Sequence, residues 1–254
     1  MTVEPNAFVA EVYRRMSLRA DLTPCPPPSD DRILEVAREY APYLPASKDA
    51  AILDIGYGDG WFMAACRKLG YRNISGAEFN PKSKPYLEQW GVKLYQIESD
   101  IGSLLAQQPQ TYDFIHVSHV IEHIPKYSLL WVVDSLYFAL RPNGTLFLRT
   151  PNMEGPTPTS SYFVTLGHEY GFAGSNLQSL LHICGFDDVQ FLSSLPTAKN
   201  LKQRVGGWLR WPYVANSRAK HRLFGVNQGG QYGTELVVKA TRKHFSPLMN
   251  ERYR

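Results

Sequence analysis

The sequence predicts an α/β fold, with a doubly wound, mostly parallel sheet that is covered by helices on both faces. Three observations predict it. From residue 51 onward, short apolar runs of strand length alternate with amphipathic segments of helix length. Two of the helical segments end at a glycine, Gly70 and Gly185. The chain of 254 residues is long enough for one sizeable domain of this class.

The N-terminal part is predicted to be helical. Residues 1–20 carry apolar side chains on one stripe, and the proline-rich stretch 23–31 interrupts the pattern. A second amphipathic helix is expected over 32–44, with Ser29 and Asp30 as candidate caps.

Seven strands are predicted, in the segments AILDIG, NISGAEF, VKLYQI, YDFIHVS, GTLFLRTPN, DVQFLSS and GTELVVKATR. The helices between them are predicted in WFMAACRKLG, KSKPYLEQWG, SLLAQQ, LLWVVDSLYFALRPNG and NLQSLLHICGF. Ser175 or Asn176 is the expected cap of the last of these helices.

Composition excludes several classes. The net charge of +4 is too weak to argue nucleic-acid binding by itself. Cys25, Cys66 and Cys184 are odd in number and far apart, so neither a disulfide framework nor a zinc cluster is expected. No apolar stretch has the length of a membrane span, so a cytoplasmic location is expected, with a peripheral location at the inner face of the membrane as an alternative.

A glycine-rich loop follows the first predicted strand. After Asp54, glycine occupies alternate positions at Gly56, Gly58 and Gly60. In a parallel sheet such a loop lies at the carboxyl edge, where ligands bind, and glycine lets the backbone approach them closely. The dinucleotide fingerprint fails because its third glycine position is Trp61, and no Gly-Lys-Ser/Thr follows. A purely structural turn stays open as an alternative.

Polar side chains follow the next three strands. Glu78 ends the second strand and is suited to accept hydrogen bonds from both ribose hydroxyls of a nucleoside. Asp100 and Ile101 follow the third strand, where they are expected to flank an adenine. A last group lies beyond the fourth strand, namely Ser118, His119, Glu122 and His123.

Six motifs in this order resemble class I S-adenosylmethionine (SAM)-dependent methyltransferases. They are LDIGYGDG, GAEFNP, SDIGSL, YDFIHVSHVIEHI, LRPNGTLFLRTPN and HEYGFAGSNLQSLLHICGFDDVQF, and they cover residues 50–195. The resemblance implies a Rossmann-like fold with seven strands, the last of them antiparallel. It also implies SAM as the cofactor and methyl transfer as the activity.

The resemblance implies contacts to the methionine and ribose parts of SAM. Asp54, Gly56 and Gly58 would line the methionine moiety with Tyr57 beside it, and Glu78 would hold the ribose. Small residues are common in the family at the position of Tyr57. We therefore expect this tyrosine to face outward or to cover the methionine end.

The resemblance also implies contacts to the adenine and the sulfonium. Phe79 and Ile101 would sandwich the adenine, and Asp100 would accept from its exocyclic amine. Ser118 and His119 would lie under the sulfonium.

Three histidines are candidates for assisting the transfer, because a hydroxyl acceptor must lose its proton. His119 is expected to be a base or a substrate contact, and His168 a base or substrate contact or a cap of the following helix. For His123, a structural hydrogen bond to the neighbouring loop competes with a catalytic role. His116 is expected in the core, and Glu122 is expected to be structural rather than a base.

No metal site is predicted. A metal-dependent transferase needs carboxylates clustered at the mouth of the active site. Asp187 and Asp188 adjoin, but they follow a predicted helix and are expected to form a turn.

The sequence leaves several hypotheses about the methyl acceptor open. The last of the six motifs resembles the version in surface-glycan and secondary-metabolite methyltransferases, which favours a sugar or glycan-precursor hydroxyl. A phenolic or other small metabolite is the alternative, in a pocket formed by Tyr162, Phe163, Tyr170, Phe172 and Trp208. A non-catalytic protein that keeps the SAM fold and binds a partner is a third hypothesis.

The segment 196–233 does not fit the strand–helix rhythm and is interpreted as an insertion. Its part 199–224 is rich in lysine, arginine and aromatic residues and contains no acidic residue. Such a surface suits an anionic membrane or an anionic acceptor, or it is a solvated positive face. Nucleic acid is disfavoured, because SHVI stands where methyltransferases of base amino groups carry an Asn/Asp-Pro-Pro-Tyr-like tetrad.

The organisation predicted for the chain is therefore a single domain with additions. Residues 1–48 form a helical lid or cap, and 49–195 form the SAM-binding core. The insertion 196–233 separates this core from 234–254, the final strand and tail. The oligomeric state is left open.

Overall fold

The computed structural model describes residues 26–80, 82–97, 100–192, 212–216, 219, 223 and 233–243. The helix predicted within residues 1–20, most of the insertion and the tail beyond residue 243 lie outside the described residues.

One sheet of seven strands organises the described residues, in the order β3-β2-β1-β4-β5-β7-β6. The strands are β1 (Ile52–Ile55), β2 (Ile74–Glu78), β3 (Lys93–Gln96), β4 (Tyr112–Ser118), β5 (Leu140–Pro151), β6 (Asp187–Leu192) and β7 (Glu235–Thr241). Strands β1 to β5 pair in parallel, whereas β7 is antiparallel to both β5 and β6. The predicted fold class is confirmed, including the antiparallel last strand.

Helices cover both faces of this sheet. They are α1 (Asp30–Tyr40), α2 (Trp61–Lys68), α3 (Lys84–Glu88), α4 (Ile101–Ala106), α5 (Leu129–Ala139), α6 (Pro158–Tyr162) and α7 (Gly174–Ile183). Side chains of β1 alternate between the two apolar layers. Leu53 and Ile55 pack in the layer with α5 and α7, and Ile52 packs in the layer with α1 and α2. Both layers exclude water, so the strands are held between two cores.

Several predicted helix boundaries are wrong: the helix predicted over 32–44 spans Asp30–Tyr40, and two further boundaries have a clear cause. The segment predicted as helix up to Gly144 leaves the helix at Ala139, and β5 begins at Leu140. Pro142 disfavours helical geometry in the residue before it, and Asn143 has a left-handed φ of 64°.

The other boundary is the beginning of α7. This helix starts at Gly174, so neither Ser175 nor Asn176 is its N-cap residue. Asn176 lies within the first turn instead, where its Oδ1 accepts a hydrogen bond of 2.9 Å from the backbone N–H of Ala173.

The strand pairing decides which strand ends meet at the edge of the sheet where ligands bind. Strand order reverses between β1 and β4, which opens a crevice at their carboxyl ends. Because β7 runs antiparallel to β5, its first residue, Glu235, pairs with Pro151 at the end of β5. Ser118 at the end of β4 pairs with Arg149. Residues from three distant parts of the sequence therefore converge at one edge.

Candidate functional site

The glycine loop is fixed by hydrogen bonds from both sides. Gly56, Gly58 and Gly60 all have positive φ angles, of 71°, 46° and 71°. The N–H of Gly58 donates to Glu78 Oε2 at 2.9 Å, and the Ser83 hydroxyl donates to the carbonyl oxygen of Gly58. Neighbouring side chains therefore fix the conformation of the loop. One of them, Ser83, was not among the predicted site residues.

Glu78 organises the loop as well as the predicted ribose site. Its Oε1 accepts from the backbone N–H groups of Phe79 at 2.7 Å and Asn80 at 3.1 Å. Burial raises the pKa of this carboxyl group, and the amide hydrogen bonds from Asn80, Gly58 and Phe79 offset only part of that shift. Sequence reasoning found the carboxylate but missed its second partner, the glycine loop.

Asp100 caps helix α4. Its Oδ1 accepts from the Ser103 N–H at 2.8 Å and from Trp131 Nε1 at 3.1 Å, and its Oδ2 accepts from the Ser103 hydroxyl at 2.6 Å. A carboxylate offers about four lone-pair positions, so room remains for one further donor. Its contact with the adenine amine stays a prediction. The capping role was missed, although Asp followed by a helical segment is its usual signal.

The two predicted adenine neighbours differ in exposure. Phe79, directly after β2, is 41% exposed, so its ring is available to a ligand. Ile101, the first residue of α4, is buried within the core. The sandwich of the adenine by these two residues stays a prediction.

Asp54 forms a buried pair with His116. The Oδ1 of Asp54 lies 2.7 Å from His116 Nδ1, and the other ring nitrogen lies 3.1 Å from the Tyr40 hydroxyl. His116 also stacks on Phe62, with ring centroids 3.9 Å apart. The expected core placement of His116 is confirmed. Contact of Asp54 with the methionine moiety stays a prediction.

Tyr57 does not face outward, so that part of the expectation is wrong. Its ring is buried and packs over Gly76 of β2, where an added Cβ would come within 2.6 Å of Tyr57 Cδ1. The reason is that glycine in β2 leaves a gap, which an aromatic ring fills. Burial raises the pKa of the Tyr57 hydroxyl. Its second expected role, covering the methionine end, stays a prediction.

The residues around the loop fit SAM. A Cβ at Gly58 would meet no atom nearer than the carbonyl oxygen of Gly56 at 3.9 Å, so this side of the loop is open to a ligand. Carboxylate and backbone oxygens suit an amino-acid tail and a sulfonium, neither of which needs the lysine of a phosphate-binding loop. Gly58, Glu78 and Phe79 would hold the cofactor.

A cavity of about 400 Å³ lies at the carboxyl ends of β4 and β5. Its wall includes His119, Glu122, His123, Val164, His168 and Glu235. All three predicted catalytic histidines therefore meet in one cavity. A larger cavity, of about 570 Å³, lies at the opposite edge of the sheet beside Asp113 and Arg141, away from these residues.

His119 lies between two carboxylates. Its Nε2 is 2.8 Å from Glu235 Oε1, and its Nδ1 is 3.3 Å from Glu122 Oε1. These contacts, with Glu122 first and Glu235 second, raise the pKa of His119 to about 9. Both ring nitrogens therefore carry protons at neutral pH, and an imidazolium cannot accept another. The geometry argues against His119 as the base.

His168 and His123 are each fixed by a backbone carbonyl. The Nδ1 of His168 is 2.8 Å from the carbonyl oxygen of Tyr162, and the Nδ1 of His123 is 2.8 Å from that of Gly167. The structural hydrogen bond expected for His123 is thus present, and burial lowers the pKa of its ring. With Nδ1 donating, the Nε2 of neutral His168 is left as an acceptor.

Glu122 is buried at the centre of the three histidines. Its Oε2 accepts from the Thr150 hydroxyl at 3.0 Å, and its backbone oxygen accepts from the N–H of Glu169 at 2.8 Å. Its Oε1 lies 4.0 Å from His168 Nε2 and makes no well-aligned hydrogen bond among the described residues. The side chain of Glu122 thus ties the turn after β4 to Thr150 of β5, and its backbone oxygen ties that turn to the loop before α7.

One group in the described part of the chain has the composition of a metal site. Donor atoms of Glu122, His123 and His168 lie within 4.8 Å of one another. The sequence prediction of no metal stays a prediction.

Sequence reasoning missed Glu235 and Arg149. Glu235 is separated from His119 by 116 positions, and Arg149 lies 3.0 Å from the second oxygen of Glu235 through its Nε. Both residues sit in apolar strand patterns; Arg149 belongs to the motif LRPNGTLFLRTPN, but the motif assigned it no role. The pairing of β5 with β7 brings Glu235 to the cavity and Arg149 to Glu235.

Comparison with protein families gives one matching model, described as a methyltransferase domain, over residues 30–213. This range includes the glycine loop, Glu78 and the three histidines of the cavity. It ends before β7, which carries Glu235.

Two of the similar curated proteins are ubiquinone biosynthesis O-methyltransferases. The protein from Xanthomonas campestris pv. campestris (strain B100) is 28% identical over 193 residues, which cover 74% of this chain and 77% of that protein. The protein from Nitrosospira multiformis is 29% identical over 129 residues, which cover 49% of this chain and 51% of that protein.

Solved structures share the fold. A SAM-dependent methyltransferase from Archaeoglobus fulgidus superimposes with a TM-score of 0.60 at 20% identity, covering 83% of this chain and 94% of that one. The Haemonchus contortus phosphoethanolamine N-methyltransferase 2 in complex with SAM gives a TM-score of 0.55 at 15% identity, covering 86% of this chain and 54% of that one.

Proposed function

Since the chain belongs to the methyltransferase domain family and uses SAM as its methyl donor, we propose that it methylates a hydroxyl group on an acceptor with an apolar, phenolic body. The hydroxyl enters the cavity of about 400 Å³ at the ends of β4 and β5. The observation that carries this proposal is the placement of His168 in the wall of that cavity, with its Nδ1 already committed to a carbonyl oxygen.

His168 is the proposed general base. When bound, SAM would supply a methyl group on a positively charged sulfur; the acceptor oxygen would attack that methyl carbon in line as the carbon–sulfur bond breaks, and neutral S-adenosylhomocysteine would be the leaving group. Nε2 of His168 takes the hydroxyl proton as the oxygen–carbon bond forms. Glu122 Oε1, 4.0 Å from this nitrogen, stabilises the imidazolium that results. His119, already protonated, contributes orientation rather than proton acceptance.

The cavity mouth favours an apolar acceptor over a sugar. Phe163, Val164 and Leu166 are 75%, 75% and 78% exposed, and Val164 also lines the cavity. Three large apolar side chains exposed in one short segment are typical of a binding surface. The names of the relatives, ubiquinone biosynthesis O-methyltransferases, support a hydroxyl on an aromatic acceptor.

The aromatic pocket predicted for such an acceptor needs one correction. Phe172 is buried in the core, where its ring packs against Tyr170 at 4.9 Å between centroids, so it is not part of an open pocket. Trp208 lies outside the described residues.

Two acceptor panels test the proposal. Formation of S-adenosylhomocysteine is measured with SAM and either catechols bearing alkyl or prenyl tails, or free sugars and nucleotide sugars. We expect turnover with the tailed catechols and product methylated on oxygen. Turnover with the sugars alone would overturn the phenolic proposal and favour the glycan hypothesis.

His168→Gln tests the base, with His182→Gln as the matched control. His182 is an exposed residue of α7 to which no role is assigned. We expect a kcat loss of about 10²- to 10⁴-fold for His168→Gln, the usual contribution of a general base. Equal kcat in His168→Gln and His182→Gln would contradict the assignment.

A further inference from the structure

We propose that Arg149 is a positioning residue of the cavity: its guanidinium holds Glu235, and Glu235 in turn holds the ring of His119. The functional meaning of this arrangement rests on the proposed function, because the cavity is taken as the acceptor site. The arrangement itself is a set of contacts that is measurable without an acceptor.

Three nitrogens of Arg149 lie near three different partners: the two terminal nitrogens donate hydrogen bonds, whereas Nε makes an ion-pair contact without an aligned hydrogen bond. Nε is 3.0 Å from Glu235 Oε2, one terminal nitrogen is 2.7 Å from Glu39 Oε1, and the other is 3.3 Å from the Tyr40 hydroxyl. Glu39 and Tyr40 belong to α1, whereas Glu235 begins β7. The side chain of Arg149 is 21% exposed, so these contacts are partly shielded from solvent.

Arginine suits this set of contacts better than lysine does. Its planar guanidinium presents donors in fixed directions, whereas a lysine ammonium is a single point charge on a flexible stem. The opposite oxygen of Glu235 is 2.8 Å from His119 Nε2. One carboxylate thus bridges two cations, and each of its oxygens has a fixed partner.

His119 depends on this bridge for its orientation. Its side chain is 46% exposed, and its φ of 54° places it in a turn rather than in a strand. The contact with Glu122 Oε1, at 3.3 Å, is longer than the contact with Glu235. Without Glu235, the ring would keep only that longer contact and would rotate toward solvent.

Two carboxylates face the ring of His119, and an arginine lies behind one of them. Glu122 in the turn after β4 and Glu235 on β7 face the ring directly, and Arg149 on β5 lies behind Glu235. His123 and His168 border the same space. The pKa of Glu235 reflects this arrangement: burial would raise it, but His119 and Arg149 together bring it below its ordinary value.

Loss of the bridge is expected to slow turnover through misorientation, because a displacement of about 1 Å in a site can cost about 10²-fold. We expect Glu235→Gln and Arg149→Lys each to lower kcat by about tenfold or more, while the KM for SAM stays within about twofold. Because Arg149 acts through Glu235, the double variant should be no slower than Glu235→Gln alone.

Glu39→Gln separates positioning from simple support of the fold. Glu39 contacts Arg149 from α1 and does not line the cavity. If Arg149 only anchors α1, Glu39→Gln will lower kcat and the melting temperature as much as Arg149→Lys does, and the proposal is overturned. We expect the kcat of Glu39→Gln to stay within about threefold of wild type, even where its melting temperature falls.

A readout without acceptor completes the test. The ¹⁵N and ¹H signals of the His119 ring are recorded at one pH in the complex with S-adenosylhomocysteine. We expect these signals to move in both Glu235→Gln and Arg149→Lys and to stay in place in Glu39→Gln, with the His182 signals unchanged throughout. Unchanged His119 signals in Glu235→Gln would overturn the positioning role. Absence of methylation with every acceptor, together with shifted signals, would instead overturn the proposed function.

Discussion

Glu78 shows how one side chain serves both the loop and the ligand. Its two oxygens accept three backbone amide hydrogen bonds, from Gly58, Phe79 and Asn80. A carboxylate with this many amide donors is well ordered before any cofactor arrives. Preorganisation of this kind lowers the entropy cost of binding.

Glu78→Ala is expected to weaken SAM binding by about 10- to 150-fold, since a hydrogen bond to a charged group contributes about 1.5–3 kcal/mol. Isothermal titration calorimetry with SAM or S-adenosylhomocysteine measures this change. Glu88→Ala is the matched control, because Glu88 is an exposed residue of α3 that pairs only weakly with Lys84, at 3.7 Å. An unchanged affinity in Glu78→Ala would remove the ribose assignment.

The pH dependence of SAM binding follows from the same carboxyl group. Burial raises the pKa of Glu78 above its ordinary value of 4.5, so its charge is lost at a higher pH than in an exposed glutamate. The protonated group accepts fewer hydrogen bonds from the ribose and the loop. We therefore expect affinity to fall as the pH is lowered, with a midpoint above 4.5, and this step to be absent in Glu78→Gln. Calorimetry across a series of acidic buffers measures it, and the same midpoint in both proteins would exclude Glu78 as its origin.

At the scale of elements, the glycine loop lies where β1, β2 and the turn after β4 come into contact. A Cβ on Gly56 would lie 2.3 Å from Val120 Cγ2, so the loop and that turn touch at this point. Gly58 also has a positive φ but has open space around its Cβ position. Glycine is therefore required at the two positions for different reasons. Gly56 allows the close approach of Val120, and Gly58 leaves space for a ligand.

Substitution by alanine distinguishes the two glycines. Left-handed backbone costs about 1–2 kcal/mol in a residue with a side chain, and Gly58→Ala should lose about that much unfolding free energy. Gly56→Ala should lose more, because the clash with Val120 is added to the strain. Urea denaturation of both variants, without ligand, gives the two losses.

A double variant tests whether the clash between the Cβ added in Gly56→Ala and Val120 Cγ2 causes the additional loss of stability. Val120→Ala removes the Cγ2 atom and leaves the nearest remaining atom, Cβ, 3.8 Å from the new methyl group. In the Gly56→Ala background it should restore part of the lost stability, although alone it should be mildly destabilising. Strict additivity of the two losses would show that the close approach does not limit this position.

At the scale of the whole molecule, the basic segment 199–224 raises the question of a membrane. Within the described ranges, no helix is both long and apolar enough to cross a bilayer. Phe163, Val164 and Leu166 are exposed in one short segment, of which Val164 lines the cavity, and an acceptor with an apolar tail would be concentrated in a membrane. A peripheral contact with an anionic membrane through the basic segment stays a prediction from the sequence.

Neutralising the lysines and arginines of 199–224 to glutamine tests this contact. About 1 kcal/mol per basic residue near an anionic surface predicts a large loss of binding to phosphatidylserine vesicles, and a smaller effect at high salt. Co-sedimentation with vesicles measures it, with neutral phosphatidylcholine vesicles as the control. Equal pelleting of the wild-type and neutralised proteins would rule out an electrostatic contact by this segment.

Much of this molecule was predictable because the signals are local. The period of apolar residues predicted the strand and helix order, and alternate glycines after Asp54 predicted an open loop. Helix ends were less predictable, since the last turns of α5 depend on Pro142 and on how Leu140 pairs with β4. The burial of Tyr57 depended on a glycine in another strand, which no local pattern reveals.

The sequence by itself determined the fold class and the order of the elements, because periodicity and glycine positions are local signals within short stretches of chain, and its resemblance to SAM-dependent methyltransferases implied the methyl donor. The tertiary structure alone decided the chemistry of the histidines. The pKa of His119 is raised because Glu122 and Glu235 both contact its ring, and Glu235, 116 positions away, lies 2.8 Å from it and is also reached by Arg149. The contacts of Glu235 follow from the antiparallel pairing of β7 with β5, and pairing over such a separation leaves no local signal in the sequence.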